Sequence, residues 1–522
     1  MTPGTLSRPA SRAMTLLSAI WQRIRQGAAA VEGSRRLRLG LMLILAVYAF
    51  AGTASQLRKP DVTGDEGSYI ALAFNLYKLG VITHGQEVTG EAGVEPYVTE
   101  DGVVTWPSAS RAPAYLLFLA TSLHLHPDAG AVDRDCMIDR PPSSLCREVR
   151  QDLKLGNVLL FTLLTLLTYA VTRQLSGSAV AGFFAALLVA SSESLAYMAD
   201  TLRSEVLAAF LFCLASSALL WAWQRPGLLR CGFVGICFGA LALCQPIYLY
   251  AIIPLSVVLA IRLARFRSIA LKPGMAAACF GVSLVAFSLT VGPWLLRNHH
   301  YFGTYNVTGT GAATLRIRAE YDQMTWREYI ASFAYWAGDG RERIAGTFFP
   351  EDWYHRLDRD NSATGYYRIA KGRGAQLFRE TGLAGRELKE ALGQEAKSMI
   401  FADPVKHVLV SIPFAWRGLY AESGLSIHPR PMKLSGLMTR LIQNPLYWIA
   451  AVFCIVHGLR RRDYRYLVFA TLVFWGWASY AGGSHYIPRY SYPFIPILAT
   501  LTVTAISILL SRKSAQAPHG AD

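Results

Sequence analysis

Apolar residues gather along this chain into long blocks of the length that crosses a bilayer, roughly 20 residues of helix for about 30 Å of hydrocarbon. Ten such blocks stand at 39–57, 153–172, 179–198, 205–223, 231–246, 247–261, 275–295, 444–459, 466–482 and 494–510; the fifth and sixth divide one apolar run at Gln245-Pro246. Two shorter helices are predicted between the first and second blocks. One starts at Asp65, sets Tyr69, Leu72, Ala73, Leu76 and Leu79 opposite Ser68, Asn75 and Lys78, and stops at Gly80. That pattern suits a helix lying on the bilayer surface. The other, 113–126, is too short to span and reads as interfacial or re-entrant. Later, the apolar stretch 405–420 is broken by Pro413 and reads as an element that dips into the membrane.

Composition agrees with the blocks. Of 522 residues, 52% are hydrophobic and 16% charged, against about 25% charged in an ordinary soluble chain. The expected class is an all-α polytopic membrane protein with about ten transmembrane helices and amphipathic external helices. The basic excess is unevenly placed. Segments 1–38, 173–178, 224–230, 262–274, 460–465 and 511–522 hold 20 basic and three acidic residues, while everything else holds 31 basic and 32 acidic. Short basic loops stay in the cytoplasm, so both termini are expected inside. This placement also argues against a nucleic-acid partner. Ala49-Phe50-Ala51 resembles a cleavage site, but the 38-residue basic leader suits a signal anchor better.

The domain plan that follows is a cytoplasmic basic segment 1–38 and a transmembrane module 39–295 that contains an external loop 58–152. A large external loop 296–443, C-terminal membrane helices 444–511 and a cytoplasmic tail 512–522 complete it. Six of the eight cysteines sit in apolar stretches as small hydrophobes. Cys136 and Cys146 flank a polar loop, and they could pair if that loop faces an oxidising compartment.

Chemistry is expected in the external loops. The first opens with Thr63-Gly64-Asp65-Glu66-Gly67-Ser68-Tyr69, two adjacent carboxylates at a helix start. Asp65 is either a helix N-cap or a general base for an acceptor hydroxyl with Glu66 as its support. Arg111, Arg297 and Arg489 each stand at an external membrane boundary beside aromatic residues or proline. They are either interface anchors or guanidinium forks for a phosphate, with Lys406 as a further cation. Asp200, Arg203 and Glu205 lie in a short external loop as supporting candidates, or cap two helix ends. A metal site can be assembled on paper from Asp65, Glu66, His299, His300 and His485, although interface histidines are more often polar tips. A divalent metal is therefore left open as a cofactor.

Asp65-Glu66, then Arg111-Ala112-Pro113-Ala114-Tyr115, then Pro293-Trp294-Leu295-Leu296-Arg297-Asn298 with Phe302-Gly303, then Pro488-Arg489-Tyr490 with Pro493 and Pro496, occur in that order. The ordered set resembles the GT-C glycosyltransferases, in particular their protein O-mannosyltransferase-like and aminoarabinose-transferase-like branches. The resemblance implies a GT-C fold in a bacterial inner membrane and a periplasmic site. The implied reaction is inverting transfer of a sugar from a polyprenyl-phosphate carrier to an external acceptor: lipid A, another glycolipid, a glycan or a protein. Tyr69 and Tyr115 join the arginines as implied substrate contacts. Two departures stand out: Ser68 replaces a basic residue of the aminoarabinose branch, and Arg111 replaces the histidine of the mannosyltransferase branch. No P-loop or dinucleotide fingerprint offers a nucleotide site. The alternatives are an O-antigen ligase or polymerase, for which the early acidic pair is unexpected, and a lipid-linked-sugar transporter or flippase. The near absence of ionisable residues inside the blocks, with Glu193 the main exception, argues against transport.

Overall fold

The computed structural model describes residues 26–57 except 28, then 62–85, 94–99, 102–138, 143–254, 258, 273–338, 341–359, 362–425 and 436–516. Much of the basic segments 1–38 and 262–274, the end of the tail, and nearly all of block 247–261 beyond residue 254 lie outside the described residues.

The first membrane helix is α1 (Arg35–Ala54), started by Ser34, whose side chain accepts from the Leu37 N–H. The segment after it carries α2 (Glu66–Leu79), a two-stranded antiparallel hairpin of β1 (Tyr97–Val98) and β2 (Val104–Thr105), α3 (Pro113–Leu125) and α4 (Arg134–Ile138). Next come α5 (Ser144–Ser176), α6 (Ala179–Ala190), α7 (Glu193–Ala199), α8 (Glu205–Gln224), α9 (Leu228–Cys244) and the long α10 (Pro273–Phe302). The segment after α10 folds as α11 (Gly311–Glu320), α12 (Trp326–Tyr335), α13 (Arg341–Phe348), α14 (Tyr366–Thr381), α15 (Gly385–Ala402) and α16 (Pro404–Gly418). The chain ends with α17 (Gly436–Arg460), α18 (Arg465–Gly483), a 3-10 turn Pro488–Phe494 and α19 (Ile495–Gln516).

By length and composition, six helical stretches among the described residues can cross a membrane: Arg35–Ala54, Ser144–Ser176, Glu205–Gln224, Ala277–Phe302, Arg440–Arg460 and Pro488–Ser511. The chain is an all-α, integral membrane protein. Its apolar core is continuous from α2 and α3 through α5, α8 and α9 to α18 and α19. Where α9 and α10 pack, Gly235 allows the contact, because a Cβ there would fall 2.2 Å from the Ser283 carbonyl oxygen.

Several boundaries differ from the sequence reading, each for a local reason. Block 179–198 is two helices, α6 and α7. Ser192 caps α7 by accepting from the Leu195 N–H, and it bridges to Leu425, so the chain turns inside an apolar run. Block 247–261 opens as a 3-10 turn, Pro246–Ala251. Helix α10 continues past residue 295 to Phe302, with Pro293 inside it, so the expected loop start is helical. Pro413 likewise does not break α16. Helix α2 matches its predicted span, and its middle packs against protein. Ile70 through Asn75 are buried under α3 and α4, and Asn75 donates to the Thr83 carbonyl at 2.8 Å. Cys136 and Cys146 are joined as a disulfide.

Candidate active site

The turn that opens α2 is built around Glu66. Its carboxylate accepts from the Thr63 N–H at 2.9 Å, the Thr63 hydroxyl at 2.7 Å and, through the other oxygen, the Leu202 N–H at 2.9 Å. Glu66 therefore ties the start of α2 to the short loop between α7 and α8. Arg203 completes the tie by donating to the Thr63 carbonyl, with Glu66 Oε2 3.9 Å away. Gly64 makes room: its φ is +55°, and a Cβ there would sit 3.1 Å from an Arg203 guanidinium nitrogen.

With Glu66 committed to the turn, Asp65 is left to face outward. It occupies the N-cap position of α2 but makes no capping hydrogen bond. Instead Oδ1 accepts from Arg111 Nη2 at 2.8 Å and Oδ2 from Arg489 Nη2 at 2.7 Å. Burial by itself would push this carboxyl up. The charges and N–H bonds of Arg489 and Arg111 outweigh burial and hold it well below the usual carboxylate range. The helix starts that carry the three residues are far apart in sequence. Arg111 immediately precedes α3, and Arg489 sits in the 3-10 turn before α19.

The remaining contacts hold this clamp in place. Arg111 Nε donates to Ser68 Oγ at 3.3 Å, and its guanidinium lies 5.1 Å from the Tyr69 ring centre. Tyr69 meets Tyr115 edge-on at 5.4 Å and shares a 3.1 Å hydrogen bond with Ser204. Burial and the Glu205 carboxylate push the Tyr69 hydroxyl up to about 12, so it stays a neutral donor. Glu205 lies 3.7 Å from Arg489 Nη1, and its second carboxylate oxygen is buried without a hydrogen-bond partner. Asp200 pairs with Lys154 at 3.0 Å, and Asn157 donates to the Thr201 carbonyl at 2.7 Å and to the Tyr115 hydroxyl at 3.0 Å.

Of the residues proposed from sequence, Asp65, Glu66, Tyr69, Arg111, Tyr115, Arg203, Glu205 and Arg489 thus form one connected cluster, with Asp200 one shell out on Lys154. Arg297 and Lys406 are placed differently. Arg297 donates to the Ser108 carbonyl and to Asn298 Oδ1, and its guanidinium is wrapped by Trp294, Tyr301 and Phe302. Lys406 is on the first turn of α16, where Asp403 caps its N–H at 2.9 Å. The metal set does not assemble either: His299 stacks on Tyr305, His300 packs on Tyr301, and His485 is buried between Tyr367 and Tyr490. Among the described residues, no group of three or more His, Cys, Asp or Glu side chains could hold a metal ion.

The turn that carries Arg489 and Tyr490 contributes to the walls of two cavities. The larger, about 1190 Å³, includes Tyr490 in its wall. Apolar residues such as Ile247, Ile253 and Trp475 and the basic Arg386, Lys389 and Lys397 of α15 both line it. The smaller, about 200 Å³, includes Arg489 together with Arg359, Arg417 and Arg440. Sequence reasoning missed these last three. They lie in a segment rich in arginine, where nothing in spacing marks one from another, and only the fold converges them.

No family model and no curated protein matches the chain. Among solved structures it is similar to the oligosaccharyltransferase AglB from Archaeoglobus fulgidus in complex with an inhibitory peptide and a dolichol-phosphate. That match has 12% identity and a TM-score of 0.47, over 93% of this chain and 52% of that one. It is also similar to ArnT from Cupriavidus metallidurans bound to undecaprenyl phosphate, at 12% identity and a TM-score of 0.35 over 92% and 79%. This chain spans about half the length of the AglB structures. Both neighbours are GT-C glycosyltransferases.

Proposed function

We propose that this protein is a membrane glycosyltransferase. It moves a sugar from a polyprenyl-phosphate carrier to a hydroxyl-bearing acceptor at the periplasmic face of a bacterial inner membrane, with inversion at the anomeric carbon. The observation that carries this reading is the Asp65 clamp, a carboxylate held by Arg111 and by Arg489, the latter also lining a small arginine-rich cavity. The acceptor oxygen attacks the anomeric carbon, the bond from that carbon to the phosphate oxygen breaks, and polyprenyl phosphate leaves with the bonding electrons. The acceptor proton passes to Asp65. A carboxylate neutralised by two guanidinium groups is a weak base. The donor's phosphate is itself an oxyanion that competes for the N–H groups of Arg111 and Arg489. When it takes them, Asp65 is released and its basicity rises, so donor binding prepares the base for the acceptor. Glu66 and Arg203 fix the turn, and the Cys136–Cys146 disulfide supports an external position for the first loop.

Reconstitution tests this directly. The purified chain in proteoliposomes, given a polyprenyl-phosphate sugar and membrane glycolipid acceptors, is expected to release polyprenyl phosphate and form a product of opposite anomeric configuration. Movement of the lipid-linked sugar across the bilayer with no acceptor modified would contradict the enzyme reading and favour transport.

A further inference from the structure

Arg489 is shared unequally between two carboxylates. Its Nη2 donates to Asp65 Oδ2 at 2.7 Å, while its Nη1 stands 3.7 Å from Glu205 Oε1, within ion-pair range but beyond a hydrogen bond. Glu205 opens α8, where the helix N-terminus favours a carboxylate, and it is 8% exposed. Its Oε2 is buried with no hydrogen-bond partner, and so is Nε of Arg489. The phenols of Tyr69, Tyr115, Tyr480 and Tyr490 and the thiol of Cys244 are within electrostatic range of Glu205, and Arg489 is the cation with which it pairs. A buried pair with one polar atom unsatisfied on each side calls for a reason.

The transfer step supplies one. When the bond from the anomeric carbon to the phosphate oxygen breaks, a phosphodiester with one negative charge becomes a monoester whose charge approaches two at neutral pH. In the same step the acceptor proton neutralises Asp65. Arg111 and Arg489 then face more charge on the phosphate and have lost the carboxylate that competed for them. Both changes tighten the grip on the product lipid, and a product that stays bound blocks the next turnover. Glu205 is the carboxylate that still stands beside Arg489. We infer that Glu205 is a positioning residue for product release: it draws the Arg489 guanidinium off the phosphate of the departing polyprenyl phosphate, completing its own ion pair as the lipid leaves. This rests on the donor reading above.

Binding of farnesyl phosphate, a short polyprenyl phosphate, to the full chain in nanodiscs near neutral pH tests it. Glu205→Gln keeps the size of the side chain and removes its charge. It should bind the probe roughly tenfold tighter than the wild type, a coupling usual for groups in contact, and release it correspondingly more slowly. Glu205→Asp, whose charge is withdrawn by one methylene, should fall between the two. In an Arg489→Gln background the same Glu205→Gln change should move the affinity by less than about twofold, because the effect runs through that guanidinium. A carboxylate that only supported the fold would weaken binding when replaced. Affinity at or below the wild type in both single variants, or a gain of the same size in the Arg489→Gln background, overturns the release role alone. Failure of the wild type to bind farnesyl phosphate overturns the donor reading with it.

Discussion

Two guanidinium groups on one carboxylate make Asp65 a latent base, and the arginines that suppress it are the ones a phosphate would claim. Arg489 touches Asp65 through Nη2 and approaches Glu205 through Nη1, a bridge that a lysine ammonium cannot span. Arg489→Gln is expected to lower kcat/KM for the lipid-linked donor by roughly 10²-fold through loss of charge-assisted contacts, and Arg489→Lys should recover little. Removing a cation that holds Asp65 low also raises its pKa, so the acid limb of the residual rate–pH profile should move to higher pH. A profile superimposable on that of the wild type would contradict the clamp. The stability that Asp65 contributes has the sign of a depressed carboxylate: present above the ordinary value of 3.8 and lost only in stronger acid, so it adds no slope near neutrality. At this scale Asp65, Arg111 and Arg489 were legible, because each stands at the start of a short predicted helix or just before an apolar block. Glu66 was legible only in part, since its bond to the Leu202 N–H depends on a loop that sequence cannot place beside it.

Among the elements, the largest departures occur where a cap or staple interrupts an apolar run. Hydropathy reads 179–198 as one span, yet Ser192 starts a new helix there and its hydroxyl bonds Glu422 from the far end of the second external loop. Periodicity is blind to a partner 230 residues away. Burial of α2 escaped for a similar reason: its amphipathic face matches a membrane-surface helix and a helix packed on α3 and α4 equally well. The staple has a measurable consequence. Burial raises Glu422 from 4.5 to about 7 in the fold, so the folded state keeps a proton that the unfolded state has lost. Its stabilising contribution is present below pH 4.5 and is lost as pH rises to about 7. Thermal midpoints should therefore fall across that window in the wild type relative to Glu422→Gln, whose side chain does not titrate. Parallel curves for the two proteins would contradict this role.

For the whole molecule, the polytopic class was plain from the blocks, and the ordered anchors other than the one carrying Arg297 pointed to residues that the fold assembles. Arg111 and Arg489 lie 46 and 424 residues from Asp65, so the site exists only once the segment after α1 and the turn before α19 meet. The arginine pocket was not legible, because it needs α16, α17 and the turn before α19 to converge. The central claim is that Asp65 accepts the acceptor's proton while its arginines hold the donor. The most direct measurement is single-turnover sugar transfer by Asp65→Asn protein saturated with donor, beside the wild type. The account predicts a loss of roughly 10²- to 10⁴-fold, the usual worth of a general base, with donor binding retained. Transfer at close to the wild-type rate would contradict it.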